Sequence, residues 1–280
     1  MDVRDEDAFA ALGPALARLS RNRDFLAELA VAELKRQWTA RPARGGYGPQ
    51  LLLLRPPDGR FVLRANFWPA REDAVTRHSG PATFFYDLPH DHNFPFLTVG
   101  YHGPGYWSDY YEVDGDAIGG LPGDPARLRF TGRACLSPGT VMLYRMRRDV
   151  HVQLPPDRFS VSLNILGVDP EQPWLDQYRF DIRRNCIAEA MTTAPAEPLV
   201  TLAAQLGGNG RDLAERFAAE HPCDRMRWTA FEALASASAD PDAALAIYDR
   251  AAASARPAVA RRARARLAES APDRMRLQPR

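Results

Sequence analysis

YDLPHDHNFPFLTVGYHGPG, residues 86–105, decides how this chain is read, together with VMLYRMRRDVHVQLPPDRFSVSLNIL at 141–166. In an extended stretch successive side chains leave opposite faces, so His90, His92, Phe94, Phe96 and Thr98 share one face while Asp91, Asn93, Pro95 and Leu97 share the other. Two imidazoles followed by two aromatic rings on one face describe a metal in an apolar cup. In the later stretch His151 and Gln153 share a face opposite Val150, Val152 and Leu154. On the next strand Arg158, Ser160, Ser162 and Asn164 alternate with Phe159, Val161, Leu163 and Ile165, so the polar set is expected to line a cavity and the apolar set to pack outward. Three neutral nitrogen ligands, two from a His-x-His segment and one from a distant antiparallel strand, suit a single divalent ion. The candidate metal ligands are therefore His90, His92 and His151.

Working outward, the stretch from Gln50 to about Gly167 consists of short runs rich in Val, Leu, Phe, Tyr and Thr, separated by turn signals such as PPDG, GPG, DGD, LPGDP and LSPG. The runs LLLLR, RFVLRANFW, ATFFYDL, HNFPFLTVGY, WSDYYEVD, ARLRFTGRACL, TVMLYRM, DVHVQL and FSVSLNILG are candidate strands, enough to close a barrel or pack a sandwich. Arg64, Asn66 and Trp68 share one face of their strand and are candidates for polar contacts in the cavity. Tyr101, Tyr106, Trp107, Tyr110 and Tyr111 are candidates for a cleft wall, and His102 reads as a loop residue.

These motifs resemble the cupin, or double-stranded β-helix, superfamily. HDH is similar to its first motif, LSPGTVMLY to the turn and strand before its second, and His151 to the histidine of the second. The glutamate that usually follows the pair is absent, since Phe96 and Leu97 occupy that region. A fourth ligand is expected from Glu112, Asp109 or water. Two subfamilies share features with the chain. Cysteine-dioxygenase-like enzymes carry an HDH triplet, a distal histidine and a strand similar to SVSLNIL, which implies a three-histidine Fe(II) site. The 2-oxoglutarate oxygenases carry a His-x-Asp and a distal histidine followed by Arg-x-Ser, to which the run from His151 to DRFS is similar. That resemblance implies that Arg158 and Ser160 grip a cofactor carboxylate. Arg158 and Tyr144, the latter ending the LSPGTVMLY strand, are the candidate catalytic residues. The implied activity is a mononuclear non-haem Fe(II) oxygenase acting on a small polar or anionic molecule or a peptide side chain, with dioxygen as co-substrate. The alternatives are a 2-oxoglutarate-dependent variant and a non-redox isomerase or lyase using another divalent metal.

The flanks differ in texture. Between Asp5 and Trp38 the apolar residues recur at three- and four-residue spacing, which predicts two amphipathic helices, and ARPARGGYGP then breaks the pattern. After about Trp174 helical spacing returns with no strand candidate, and a helix is expected near Arg184 to Met191. DRMRWTAFEALA and PAVARRARARLA are faintly similar to paired-helix repeats. The expected organisation is α+β: N-terminal helices at 1–46, a cupin-type β-barrel with the metal site at 47–173, and an α-helical accessory domain at 174–280 that offers a surface to a protein partner.

Composition narrows the field further. The 280 residues hold 36 Lys and Arg against 35 Asp and Glu, so no overall field recommends nucleic acid or a membrane surface as partner. Lys35 is the only lysine. Cys135, Cys186 and Cys223 are widely spaced and odd in number, which fits a reducing compartment rather than a disulfide framework. MDVRDEDAFAALG lacks a basic region followed by an apolar core, and no run approaches the length of a membrane span. The expectation is a soluble, cytoplasmic protein.

Overall fold

Proline and glycine set the first boundaries. A computed structural model describes residues 2–39, 47–48, 50–55 and 59–277. The N-terminal segment forms three helices rather than two: α1 (Glu6–Ala10), α2 (Gly13–Ser20) and α3 (Phe25–Thr39). Pro14 stands in the first turn of α2, where its missing N–H is tolerated, whereas inside one continuous helix it would break the hydrogen-bond ladder. Asp5 caps α1 by accepting from the Ala8 amide at 3.0 Å. The predicted end of this region, residue 46, lies outside the described residues.

Strands β1 (Tyr47–Gly48), β2 (Leu51–Leu53) and β3 (Phe61–Trp68) follow, then α4 (Ala74–Ser79) and β4 (Phe96–His102). The predicted strand ATFFYDL is not one. Pro81–Phe84 form a 3-10 turn, and Phe85 and Asp87 both adopt positive φ of 59°, which no ladder accommodates. Next come β5 (Trp107–Glu112), β6 (Arg129–Cys135), β7 (Val141–Tyr144), β8 (Asp149–Gln153) and β9 (Ser160–Gly167). After Trp174, where helix was expected, the chain forms the hairpin β10 (Tyr178–Asp181) and β11 (Cys186–Ala190). Tyr178, Phe180 and Ile187 bury against Val113, Ala126 and Val150, so packing overrides a helical pattern too short to hold by itself.

The strands form a six-stranded sheet of order β1-β2-β3-β9-β4-β7, a three-stranded sheet β6-β5-β8, and the hairpin. They do not close into the expected barrel. The alternation read from the sequence sorts the faces of the larger sheet. Ala65, Leu97, Val99, Val161 and Leu163 turn outward, where Phe9, Leu16 and Leu26 of the N-terminal helices bury them. Each large apolar side chain so buried contributes about 1.5–3 kcal/mol. The opposite parity, Arg64, Asn66, Phe96 and Asn164, turns toward a cavity. Gly103 and Gly105, at φ of 78° and 84°, carry the chain from β4 to β5. A Cβ at Gly103 would stand 2.3 Å from the Phe159 carbonyl oxygen, so the turn requires glycine.

The chain divides into two compact units: 1–118 with 122–191, and 119–121 with 192–280. The second unit contains α5 (Ala196–Leu206), α6 (Asn209–Glu220), α7 (Asp224–Ser236), α8 (Pro241–Ala252) and α9 (Pro257–Leu277). Its core joins Met226, Phe231, Leu234, Ile247 and Val259 with alanines at 204, 214, 218, 230, 251 and 263, whose small size lets helix backbones approach closely. Arg225, buried in this unit, pairs with Glu197, which also accepts from the Ala194 amide at 2.8 Å. No described helix is long and apolar enough to cross a membrane.

Candidate metal centre

The His-x-His segment is pinned on both edges. His90 and His151 exchange backbone hydrogen bonds at 3.1 and 3.0 Å, so the two residues stand opposite each other as an antiparallel pair. On the other edge Phe180 donates to the Pro89 carbonyl at 2.9 Å and Asp91 to the Tyr178 carbonyl at 3.2 Å. Residues 89–91 therefore form one rung between β8 and β10, and the Arg147 amide holds the His92 carbonyl at 2.8 Å. Asp91 turns away from the histidines, as alternation requires, and its carboxylate accepts from the Tyr178 amide at 2.6 Å. Burial nevertheless pushes its pKa up to about 7.

This framework brings His90, His92 and His151 together. Their Nε2 atoms converge, with His92 and His151 at 3.0 Å and His90 and His151 at 3.2 Å, and the ligand atoms of all three lie within 4.8 Å of one another. Nitrogens bound to a common ion at about 2.1 Å are roughly 3.0 Å apart at right angles and roughly 3.4 Å apart in a tetrahedron. The two observed separations fall in that window. The Nδ1 of His90 lies 2.8 Å from the Leu88 carbonyl, so the ring donates there and leaves Nε2 as a bare lone pair. Burial pushes the pKa of His90 down to about 4, and burial with the neighbouring histidines holds His92 and His151 well below the ordinary range. Neutral imidazoles facing one another at 3 Å repel through their lone pairs unless a proton or cation lies between them. The donor set fits a borderline divalent metal.

Around the histidines lies a cavity of about 310 Å³. Phe85, Phe94, Phe96 and Trp68 supply its apolar walls, with the His92 ring 5.0 Å from Phe94 and 4.8 Å from Phe96. Gln50, Arg64, Asn66, Tyr106, Gln153, Asn164 and Gln177 supply its polar groups. Burial pushes the Arg64 guanidinium down to about 10, so it remains cationic near neutrality, and its Nε has no hydrogen-bond partner. Burial likewise raises the Tyr106 phenol above its ordinary range and keeps it neutral.

The other predicted residues are distributed differently. Arg158 is exposed and does not line the cavity. Ser160 is buried, but its hydroxyl donates to the Arg158 carbonyl at 3.0 Å and accepts from the Gly105 amide at 3.2 Å, so it secures the turn rather than facing the histidines. Tyr144 stacks on Phe96 at 4.3 Å and shares a 2.9 Å hydrogen bond with the Tyr110 hydroxyl, behind the cavity wall. Glu112 pairs with Arg145 at 2.7 Å and Asp109 with Arg133 at 2.6 Å, so neither expected fourth ligand reaches the centre. The register explains Asp109: Tyr110 stands opposite His151, and Asp109 must point the other way. His102, expected in a loop, is instead the exposed last residue of β4, paired with Val161 of β9. Of the aromatic residues expected to wall a cleft, Tyr106 lines the cavity, whereas Tyr101, Trp107, Tyr110 and Tyr111 do not; Phe85 and Gln177, which also line it, had no local signal.

No protein-family model matches the chain, and no curated protein matches it. Solved structures similar to part of it include the DMSP lyase DddQ from Ruegeria pomeroyi DSS-3, at 12% identity and TM-score 0.27, covering 48% of this chain and 54% of that one. They include hydroquinone 1,2-dioxygenase PnpCD in complex with Cd2+ and 4-hydroxybenzonitrile, at 11% identity and TM-score 0.28, covering 45% and 69%. A cupin-2 domain from Rhodospirillum rubrum is similar at 13% identity and TM-score 0.25, covering 59% and 90%. The chain spans about half the length of the DMSP lyase structures it matches, 54% and 46%. A cupin-2 domain is thus among the structures to which part of the chain is similar. Likenesses at these TM-scores carry no chemical assignment, which rests on the site itself.

Proposed function

We propose that the chain is a mononuclear metal-dependent oxygenase of cupin type, in which His90, His92 and His151 hold Fe(II) and the cavity takes a small anionic or polar molecule. The convergence of the Nε2 atoms of buried His90 and His151 and half-buried His92 carries this reading. When bound, the ion supplies Lewis acidity and, as Fe(II), electrons for reaction with dioxygen. The ligands are neutral, so the full positive charge of the ion is left to attract an anion. Leu88 fixes the tautomer of His90, and Phe94 and Phe96 exclude water from the His92 side. Arg64 orients an anionic group, and Tyr106 holds a proton on its phenolic oxygen.

Two alternatives use the same ligands. An isomerase that moves a proton between carbon atoms, or a lyase that removes one as a group leaves, is served by a base that titrates near neutrality. Among the described residues that line the cavity, the titratable groups besides the histidines are Arg64, kept cationic, and Tyr106, kept neutral, which favours oxygen chemistry. A 2-oxoglutarate-dependent oxygenase was expected to use Arg158 and Ser160, and neither lines the cavity, which favours direct oxidation of the substrate. Elemental analysis of protein purified without oxygen, followed by oxygen uptake with and without 2-oxoglutarate, separates these readings. The expected result is one iron per chain and uptake independent of 2-oxoglutarate. His151→Ala is expected to lose the metal while keeping its fold; a fully metallated, folded variant sinks the assignment.

A further inference from the structure

Two buried polar atoms on the wall formed by β3 have no partner: Arg64 Nε and Asn66 Oδ1. Both residues line the cavity, and Asn66 is only 7% exposed. An orphaned acceptor in so dry a place costs stability unless a ligand donor reaches it. The third member of the wall is Asn164, which stands opposite Arg64 in the β3–β9 register. Its amide has a defined orientation. The Trp68 indole N–H, which can only donate, bonds the Ser162 hydroxyl at 2.9 Å and turns the serine hydrogen onward to Asn164 Oδ1 at 3.2 Å. The Thr98 hydroxyl donates to the same oxygen at 2.9 Å. With Oδ1 occupied twice, Asn164 presents its Nδ2 hydrogens to the cavity.

The wall thus offers a planar cationic fork with an amide N–H₂ facing it, and an amide carbonyl two residues further along the strand. Resting on the reading of this cavity as the active site, we propose that the substrate is a short carboxylic acid with a hydrogen-bond donor at the far end of its chain. The carboxylate lies on Arg64 and Asn164, and the distal hydroxyl or ammonium lies on Asn66 Oδ1. A carboxylate matches the guanidinium fork in shape and charge, whereas a phosphate dianion needs more than Arg64, the single cation among the described residues that line this cavity. Residues two apart on a strand are separated by roughly 6.6 Å, which places the donor several bonds from the carboxylate rather than on the adjacent carbon.

The test uses full-length, metal-free protein, so that its outcome is independent of whether the histidines bind iron. Butyrate, 2-hydroxybutyrate and 4-hydroxybutyrate are titrated while the Trp68 indole N–H resonance, assigned with Trp68→Phe, is followed by NMR. The expected order is 4-hydroxybutyrate about tenfold tighter than butyrate, with 2-hydroxybutyrate close to butyrate, in line with one hydrogen bond to an otherwise unsatisfied buried acceptor. Asn66→Leu is expected to erase the preference and leave butyrate within about twofold, and Arg64→Met to weaken all three acids about tenfold or more. Equal binding of butyrate and 4-hydroxybutyrate overturns the proposal, as does a stronger preference for 2-hydroxybutyrate or a 4-hydroxy preference that survives Asn66→Leu. The comparison of acids on the wild-type protein needs no variant, so it decides the matter even if Asn66→Leu fails to fold. A protein that binds iron yet shows no such preference loses this inference alone, and one that shows the preference but binds no metal loses the metal reading alone.

Discussion

Tyr144 shows how a single side chain serves this site without entering it. Its ring covers Phe96 at an interplanar angle of 7° and lies 4.8 Å from the His151 ring, so it fixes the floor on which His92 and His151 rest. Its hydroxyl is committed to Tyr110, whose own hydroxyl lies 3.6 Å from the Met142 sulfur. Tyr144→Phe keeps the stack and removes one buried hydrogen bond. The expected loss is about 0.5–1.5 kcal/mol of unfolding free energy, with metal stoichiometry unchanged. A hundredfold or larger fall in turnover with stability intact would instead make the hydroxyl a proton-transfer group. Sequence reading named Tyr144 as a candidate catalytic residue, and the structure places its ring beside that of His151. Only the hydrogen bond to Tyr110 reveals what its oxygen does.

The way the elements are fastened together gives the protein its acid sensitivity. Arg4, ahead of α1, pairs with Asp169 and, at 2.6 Å, with Glu171, both just beyond β9. These pairs tie the N-terminal segment to the end of the strand that supplies Asn164. The Arg4 guanidinium holds the Asp169 carboxyl below its ordinary range. A carboxyl that ionises more readily when folded than when unfolded contributes stability that is complete above the unfolded value of about 3.9 and is lost as pH falls through the lower folded value. Arg4→Met removes the pairing, so thermal stability near pH 7 is expected to drop and acid unfolding to begin at higher pH. Melting curves between about pH 2.5 and 7 read both effects. Superimposable wild-type and variant curves would mean that the pairing contributes nothing.

At the scale of the whole molecule, chemistry and helical mass belong to different compact units. The three histidines and the cavity wall lie within the first unit, whereas Met226, Phe231 and Leu234 centre a core of their own in the second. Met226 is fully buried, so Met226→Ala is expected to cost the helical unit about 2–5 kcal/mol by creating a cavity, while leaving metal stoichiometry unchanged. Urea unfolding combined with metal analysis checks both parts. Concurrent loss of metal would show that the helical core supports the site energetically. Leu199, Leu202 and Leu206, exposed by 62%, 54% and 78%, form an apolar stripe on the outward face of α5.

The sequence by itself determined the histidine pair, the distal histidine and the face on which each cavity residue stands, because alternation along an extended chain is a local property that holds wherever the backbone is straight. It placed His90, His92, Phe94, Phe96, Gln153, Arg64 and Asn66 on the right side without any knowledge of their partners. Tertiary structure decided everything that depends on which segment lies beside which. The hairpin at β10 and β11 replaces an expected helix because Phe180 and Ile187 find a buried surface there. Residues 89–91 become a rung only because β8 and β10 flank them, and that rung sets the spacing of the imidazoles. Arg64 rather than Arg158 supplies the cavity's cation because β3 pairs with β9 in a register that puts Arg64 opposite Asn164. Register between distant strands is fixed by the packing of whole faces, and no window of sequence contains both strands and the surface they share.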